Sequence, residues 1–325
     1  MTQRRAFLTL AGAAAFGAVR PAMAWAEDFP ARPIRFVVPL AAGGSADLLA
    51  RLVGQHMAEQ WGQPVVVEMK PGGGTVIGTN VVAQAPADGY TILFSANSLV
   101  INAKLRNNLP YNGLKAFEPV ALMVTSPQAL VVNPASPWQS LGEWLQAARA
   151  QPGQLSLASL GPATTQHIAA EMLQHSTGVQ LNYVPYSGGS QAVNALLGGH
   201  VDSVLCNVAE ASAHIAAGKL RPLAVTSTER LASLAQVPTI AESGYPGFEA
   251  SAWFGVSVPA GTPQPVIARL AQGIGAAMGD PKVRSQLLAH DLQPEFLGPE
   301  AFAAHIARSY LRYSAIIDSA NISAG

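Results

Sequence analysis

The chain has 325 residues, 49% of them apolar and only 12% charged, with 19 basic and 19 acidic side chains. That balance suits a packed core spread over about two domains and excludes an extended disordered chain. No basic stripe is present, which excludes a nucleic-acid surface, and the single thiol, Cys206, excludes internal disulfides and paired-cysteine metal or redox motifs.

Residues 1–26 read as a cleavable export signal. Arg4 and Arg5 make a charged start, Ala6 to Val19 is an apolar stretch too short to span a bilayer, and Ala22-Met23-Ala24 and Ala24-Trp25-Ala26 are small-x-small cleavage sites. The run Gln3-Arg4-Arg5-Ala6-Phe7-Leu8 fits a twin-arginine signal as well as an ordinary Sec signal. Removing residues 1–26 takes Arg4, Arg5 and Arg20 with it and leaves 16 basic against 19 acidic residues, a net charge of −3. No later apolar run is long enough for a membrane helix and no cysteine lies near the cleavage sites, so the mature chain is expected free in the periplasm.

From Ile34 the pattern is strand, glycine turn, helix, repeated. A strand at 34–39 precedes Gly43-Gly44-Ser45 and a helix over 46–61 with Leu48, Leu49, Leu52, Val53 and Met57 at helical spacing. A strand at 64–67, the turn Pro71-Gly72-Gly73-Gly74, a helix over 76–85 and a strand at 91–94 follow. The rhythm breaks at Pro119–Pro137, where two apolar runs carry no helix between them. It resumes with helices over 141–150, 164–177, 190–197 and 209–217, each preceding a strand. A second break at 244–252 precedes helices over 265–278, 281–290 and 299–322. This alternation predicts an α/β protein of two lobes, each a mostly parallel sheet flanked by helices. Two breaks mean two crossings: residues 27–125 with 250–325 form one lobe around an inserted lobe, 126–249. Ligands in such sheets bind beyond the C-terminal strand ends, here facing the cleft.

The same phrase ends a strand and opens a helix in each lobe: Val38-Pro39-Leu40-Ala41-Ala42-Gly43-Gly44-Ser45 and Val184-Pro185-Tyr186-Ser187-Gly188-Gly189-Ser190. Glycine admits close approach of a ligand to the backbone, the serine can cap the helix, and the helix N-terminus favours an anion. A third turn, Ser159 to His167, offers Gly161, Thr164, Thr165 and His167 as hydrogen-bonding neighbours. No Lys or Arg lies in a predicted cleft loop, so neutral donors and helix ends would hold the anion. Asp47, one turn into the first helix, reads as a helix-start charge, and Asp202 as structural.

Catalytic and cofactor motifs are absent: no G-x-S-x-G, H-E-x-x-H or G-x-x-x-x-G-K-[ST], and no ligand spacing among the seven histidines. No cofactor, metal or enzymatic activity is expected, although a periplasmic hydrolase or lyase stays open as an alternative because catalytic triads are spatial.

The chain resembles the Bug family, the periplasmic solute receptors of tripartite tricarboxylate transporters, from about Pro30 onward. The markers are Ile34-Arg35 through Val38-Pro39 with Gly43-Gly44-Ser45 and Asp47, Gly62-Gln63-Pro64-Val65-Val66-Val67-Glu68, Pro86-Ala87-Asp88-Gly89-Tyr90-Thr91, Val184-Pro185-Tyr186, Gly218-Lys219-Leu220-Arg221, and Trp253-Phe254-Gly255 with Pro259-Ala260-Gly261-Thr262-Pro263. The resemblance implies a type II-like Venus-flytrap fold, transporter membrane subunits as partners, a monomeric receptor, and a small carboxylate held largely by backbone groups and water. Its ligand positions fall here on Leu40, Ala41, Gly43, Gly44, Ser45, Asn97, Ser98, Gly161, Thr164, Thr165, His167, Tyr186, Ser187, Gly188 and Asn207. Cys206 stands where family members often have Asp, which favours a plain carboxylate over an amine-bearing ligand. A ligand sensor for a membrane signalling protein would use the same pocket and stays open as a second role.

Overall fold

The apolar run after Pro33 becomes strand β1 (Ile34–Val38), buried at every position except Arg35, as expected of a parallel strand covered on both faces. The computed structural model describes residues 29–161, 164–319 and 322; the expected export signal lies outside them. Gly43, at φ +82°, turns the chain into α1 (Ser45–Trp61), which lays Leu49, Val53 and Met57 on the core and stops at Gly62 in the left-handed conformation. The first lobe continues with β2 (Val65–Met69), α2 (Val76–Ala83), β3 (Thr91–Ala96) and α3 (Asn97–Leu105). Then β4 runs for 16 residues (Phe117–Val132). The second lobe holds α4 (Leu141–Ala150), β5 (Ser156–Leu160), α5 (Thr165–Thr177), β6 (Asn182–Tyr186), α6 (Gly189–Leu197), β7 (Ser203–Asn207), α7 (Val208–Ala216) and β8 (Arg221–Val225). The chain returns through β9 (Ser251–Pro259), α8 (Gln264–Gly279), α9 (Pro281–Ala289), β10 (Gln293–Leu297) and α10 (Pro299–Ser319).

Each lobe has a parallel triplet, β2-β1-β3 in one and β6-β5-β7 in the other. The strands completing the sheets are antiparallel. The first half of β4 pairs with β9 and β10, and its second half with β7 and β8. The parallel expectation therefore describes the outer strands and not the centre. A strand that leaves one lobe and a strand that returns lie side by side without a crossover helix, which antiparallel pairing permits. Register shifts beside Pro119 absorb a residue that cannot donate to the ladder.

The two crossings are laced together where the lobes meet. Gln128 N–H donates to Thr226 Oγ1 at 3.0 Å, and Thr226 Oγ1 donates to the Ala250 carbonyl at 2.6 Å. Separate cores lie on either side: Ile34, Phe36, Phe94 and Ile274 in the first lobe, Trp144, Leu157 and Leu205 in the second. Full burial of such side chains is worth roughly 1.5–3 kcal/mol each. The lone thiol of Cys206 is packed in a third cluster with Val204 and Val208, which agrees with a structural role.

Candidate functional site

Three helices begin at the cleft without a side-chain cap. The N-cap positions of α1, α3 and α6 are Gly44, Ala96 and Gly188, all extended and none accepting with a side chain. In α1 the first intrahelical bond runs from Leu48 N–H to the Gly44 carbonyl, so the N–H groups of Ser45, Ala46 and Asp47 have no intrahelical acceptor. By contrast α5 is capped by Thr164, whose Oγ1 accepts from His167 N–H at 3.2 Å, and α7 starts on Asn207. The expected serine caps are absent. Ser45 and Ser190 lie inside the first helical turn instead, because glycine takes the extended N-cap position.

These helix starts surround one cavity of about 620 Å³ of atom-free space between the lobes. The first lobe supplies Leu40, Ala41, Gly44, Ser45 and Ser98, and the second supplies Thr164, Thr165, Gly188 and Asn207; all were expected from the sequence. Gly161, Tyr186 and Ser187 line an adjoining groove that shares Leu40 and Thr164 with the cavity. The neutral donors suit a small ligand bound through a few convergent polar groups. Ser45 Oγ is buried and has no partner, leaving a hydroxyl free at the wall. Ser190 Oγ crosses the cleft and donates to the Gly43 carbonyl at 2.7 Å, joining the lobes.

Three expected residues line neither the cavity nor the adjoining groove. Gly43 acts through its backbone, its N–H donating to Asp47 Oδ2 at 2.9 Å and its carbonyl accepting from Ser190. Asn97 is fully buried; its amide donates to the Ser251 carbonyl and Tyr313, and its oxygen accepts from Trp253 N–H at 2.7 Å, tying the start of α3 to β9 and α10. His167 packs edge-on against Tyr183, 5.1 Å between centroids, with Nε2 3.7 Å from Glu171, and burial lowers its pKa. Asp202 accepts from the N–H and hydroxyl of Ser156, in keeping with a structural role.

The cavity also brings in residues the sequence did not single out: Thr75, Gln166, Gln191, Ala252, Phe254 and, above all, Glu210. The absence of Lys and Arg expected of the cleft loops is matched by the described wall residues, but one acidic side chain was not anticipated. Glu210, on the first turn of α7, lines the cavity and accepts from Asn207 N–H at 3.1 Å. Burial raises its pKa to about 7 against the lowering effect of that bond. It keeps intermediate surface exposure because it faces the cavity. The spacing Asn207-x-x-Glu210 is a capping box, the one signal that could have flagged it. Among the described residues no group of three or more His, Cys, Asp or Glu could hold a metal ion. Among the same residues, no helix is long and apolar enough to cross a membrane.

Residues 49–322 match the family described as tripartite tricarboxylate transporter family receptor. Protein BugT of Bordetella pertussis (strain Tohama I) is 36% identical over 294 residues, 90% of this chain and 90% of its own. The structure of R. palustris Rpa4515 with adipate superposes with a TM-score of 0.87 at 31% identity, covering 91% of this chain and 99% of that one. MatC from Rhodopseudomonas palustris with bound malate gives 0.84 at 29% identity, covering 89% of this chain and all of that one. The match describes a receptor and not an enzyme.

Proposed function

The chain belongs to the tripartite tricarboxylate transporter receptor family, and from that premise we propose that it captures a small organic carboxylate in the periplasm for the membrane subunits of such a transporter. The observation that carries this is the convergence of the uncapped N-termini of α1, α3 and α6 on one cavity closed by both lobes. Free N–H groups and aligned helix dipoles favour an anion without any Lys or Arg in the wall. Ligands of the similar proteins, adipate and malate, support a dicarboxylate of about four to six carbons. Within this reading the lobes are 27–125 with 250–325, and 126–249, which is supported by β4 exchanging its partners near Pro127. Residues 1–26 direct export and are removed, and the receptor works as a monomer.

The test is thermal unfolding of the processed protein against a panel of small carboxylates that includes adipate and malate. A ligand at about a thousand times its dissociation constant adds roughly 4 kcal/mol, which raises the midpoint by several degrees. A hit recovered chemically unchanged supports capture without turnover. A flat panel overturns the ligand class, and a converted ligand overturns the receptor role.

A further inference from the structure

Among the described residues, Glu210 is the only acidic or basic side chain in the cavity wall, and no Lys or Arg accompanies it there. Among the described residues it forms no ion pair. Its carboxyl is built in between the two glycine turns. It occupies the space a Cβ on Gly189 would need, and a Cβ on Gly44, across the cleft, would lie 3.5 Å from its Oε1. A bound carboxylate reaching the N-termini of α1 and α6 therefore arrives beside the Glu210 carboxyl. Two ionised carboxylates in contact at one site repel, and such pairs resolve by one holding a proton.

Resting on the carboxylate-receptor reading above, we infer that Glu210 is a specificity-determining residue that meets the ligand as a neutral acid, its O–H donating a hydrogen bond to the bound carboxylate, so that where free Glu210 is ionised each captured anion brings one proton into the cleft. Oε2 already accepts from Asn207 N–H at 3.1 Å, which leaves Oε1 to carry the proton toward the ligand. The proton comes from solvent, and no bond of the ligand is broken. This arrangement serves a plain dicarboxylate, whereas an amine-bearing ligand would use Glu210 as an anion.

Other titratable and charged groups lie on the neighbouring elements. β7 brings the Cys206 thiol, pushed well up by burial and by the Glu210 charge. α1 brings Asp47, held by Gly43 N–H and paired with Arg51. α5 brings His167 and Glu171, which face each other and Tyr183. α7 itself brings His214 one turn on, while α6 contributes no titratable side chain and β4 only Glu118, in the half paired with β9. Burial already pushes the Glu210 pKa up to about 7, and a neighbouring anion raises a carboxyl further. Below that pH the proton is in place and affinity is level. Above it the proton must be taken up, so affinity falls as pH rises.

The experiment is titration calorimetry of the processed protein with adipate and malate from pH 6 to 8.5, each pH in phosphate and in Tris, whose ionisation heats differ. The expected result is proton uptake rising toward one above pH 7, with affinity falling about tenfold per pH unit at the alkaline end. E210Q, neutral throughout and still able to accept from Asn207 N–H, should keep its pH 6 affinity to pH 8.5 without uptake. Affinity independent of pH with no uptake would overturn the inference while leaving the receptor reading intact. So would aspartate or glutamate binding more tightly than adipate and malate and losing that advantage in E210Q. Failure of every carboxylate at every pH removes the receptor reading and this inference with it. If E210Q unfolds, the two-buffer comparison on the natural protein decides alone.

Discussion

Thr75 shows how one residue shapes the cleft. It follows Gly72, Gly73 and Gly74, at φ +125°, +59° and +62°, and itself sits at φ +80°, a conformation that costs a β-branched residue on the order of 1–3 kcal/mol. It lines both the cavity and the adjoining groove. What holds it is Asn102, fully buried, whose amide donates to the Gly74 carbonyl at 2.7 Å and to Thr75 Oγ1 at 3.3 Å. N102A should lower stability by about 2–3 kcal/mol in urea unfolding, by stranding a buried carbonyl, and should weaken dicarboxylate binding in the same preparation. Unchanged affinity would mean that the turn's position does not matter to the ligand. The glycine triplet was legible in the sequence as a turn. The strained threonine was not, because its conformation depends on a partner 27 residues away. Asn97 and His167 misled for a related reason: their polar groups suit a ligand and a packed interior equally well, and only the fold shows that both face inward.

At the scale of elements, the local units were readable and the long-range ones were not. β1 with α1 and β6 with α6 each follow from a β-rich run, a glycine turn and a helical apolar pattern within about thirty residues. The antiparallel β4 and β9 have no such signature. Pro119 and Pro127 interrupt β4, and its partners change along its length, so its apolar runs read as a break. α3 follows β3 with no intervening loop, which hid its start at Asn97. The repeated Gly-Gly-Ser phrase was found, but its serines proved to be wall groups instead of caps. That distinction yields a test. Gly44 is extended at φ −99°, ψ −177°, and a Cβ there meets only Glu210 Oε1, at an ordinary contact distance of 3.5 Å. G44S adds a hydroxyl able to cap α1, so stability should hold or rise by a few tenths of a kcal/mol. Ligand affinity should nevertheless drop about tenfold, because the new cap takes N–H groups the anion needs. Calorimetry beside urea unfolding separates the two effects, and equal affinity would argue that α1 does not contact the ligand.

Across the whole molecule, two cores joined by two laced crossings place a cavity where neither lobe alone could enclose it. Leu40 and Ser45 come from one lobe, Thr165 and Gly188 from the other, and Ser190 bonds across to Gly43. Hinge closure of this kind lets a ligand be surrounded by backbone donors from both sides. The most direct test is a crystal structure of the processed protein with the dicarboxylate that raises its unfolding midpoint most. The account predicts one ligand carboxylate within hydrogen-bond distance of first-turn N–H groups of α1 and α6, with Ser45 Oγ donating to it. A ligand touching one lobe only, or bound outside this cavity, would contradict it.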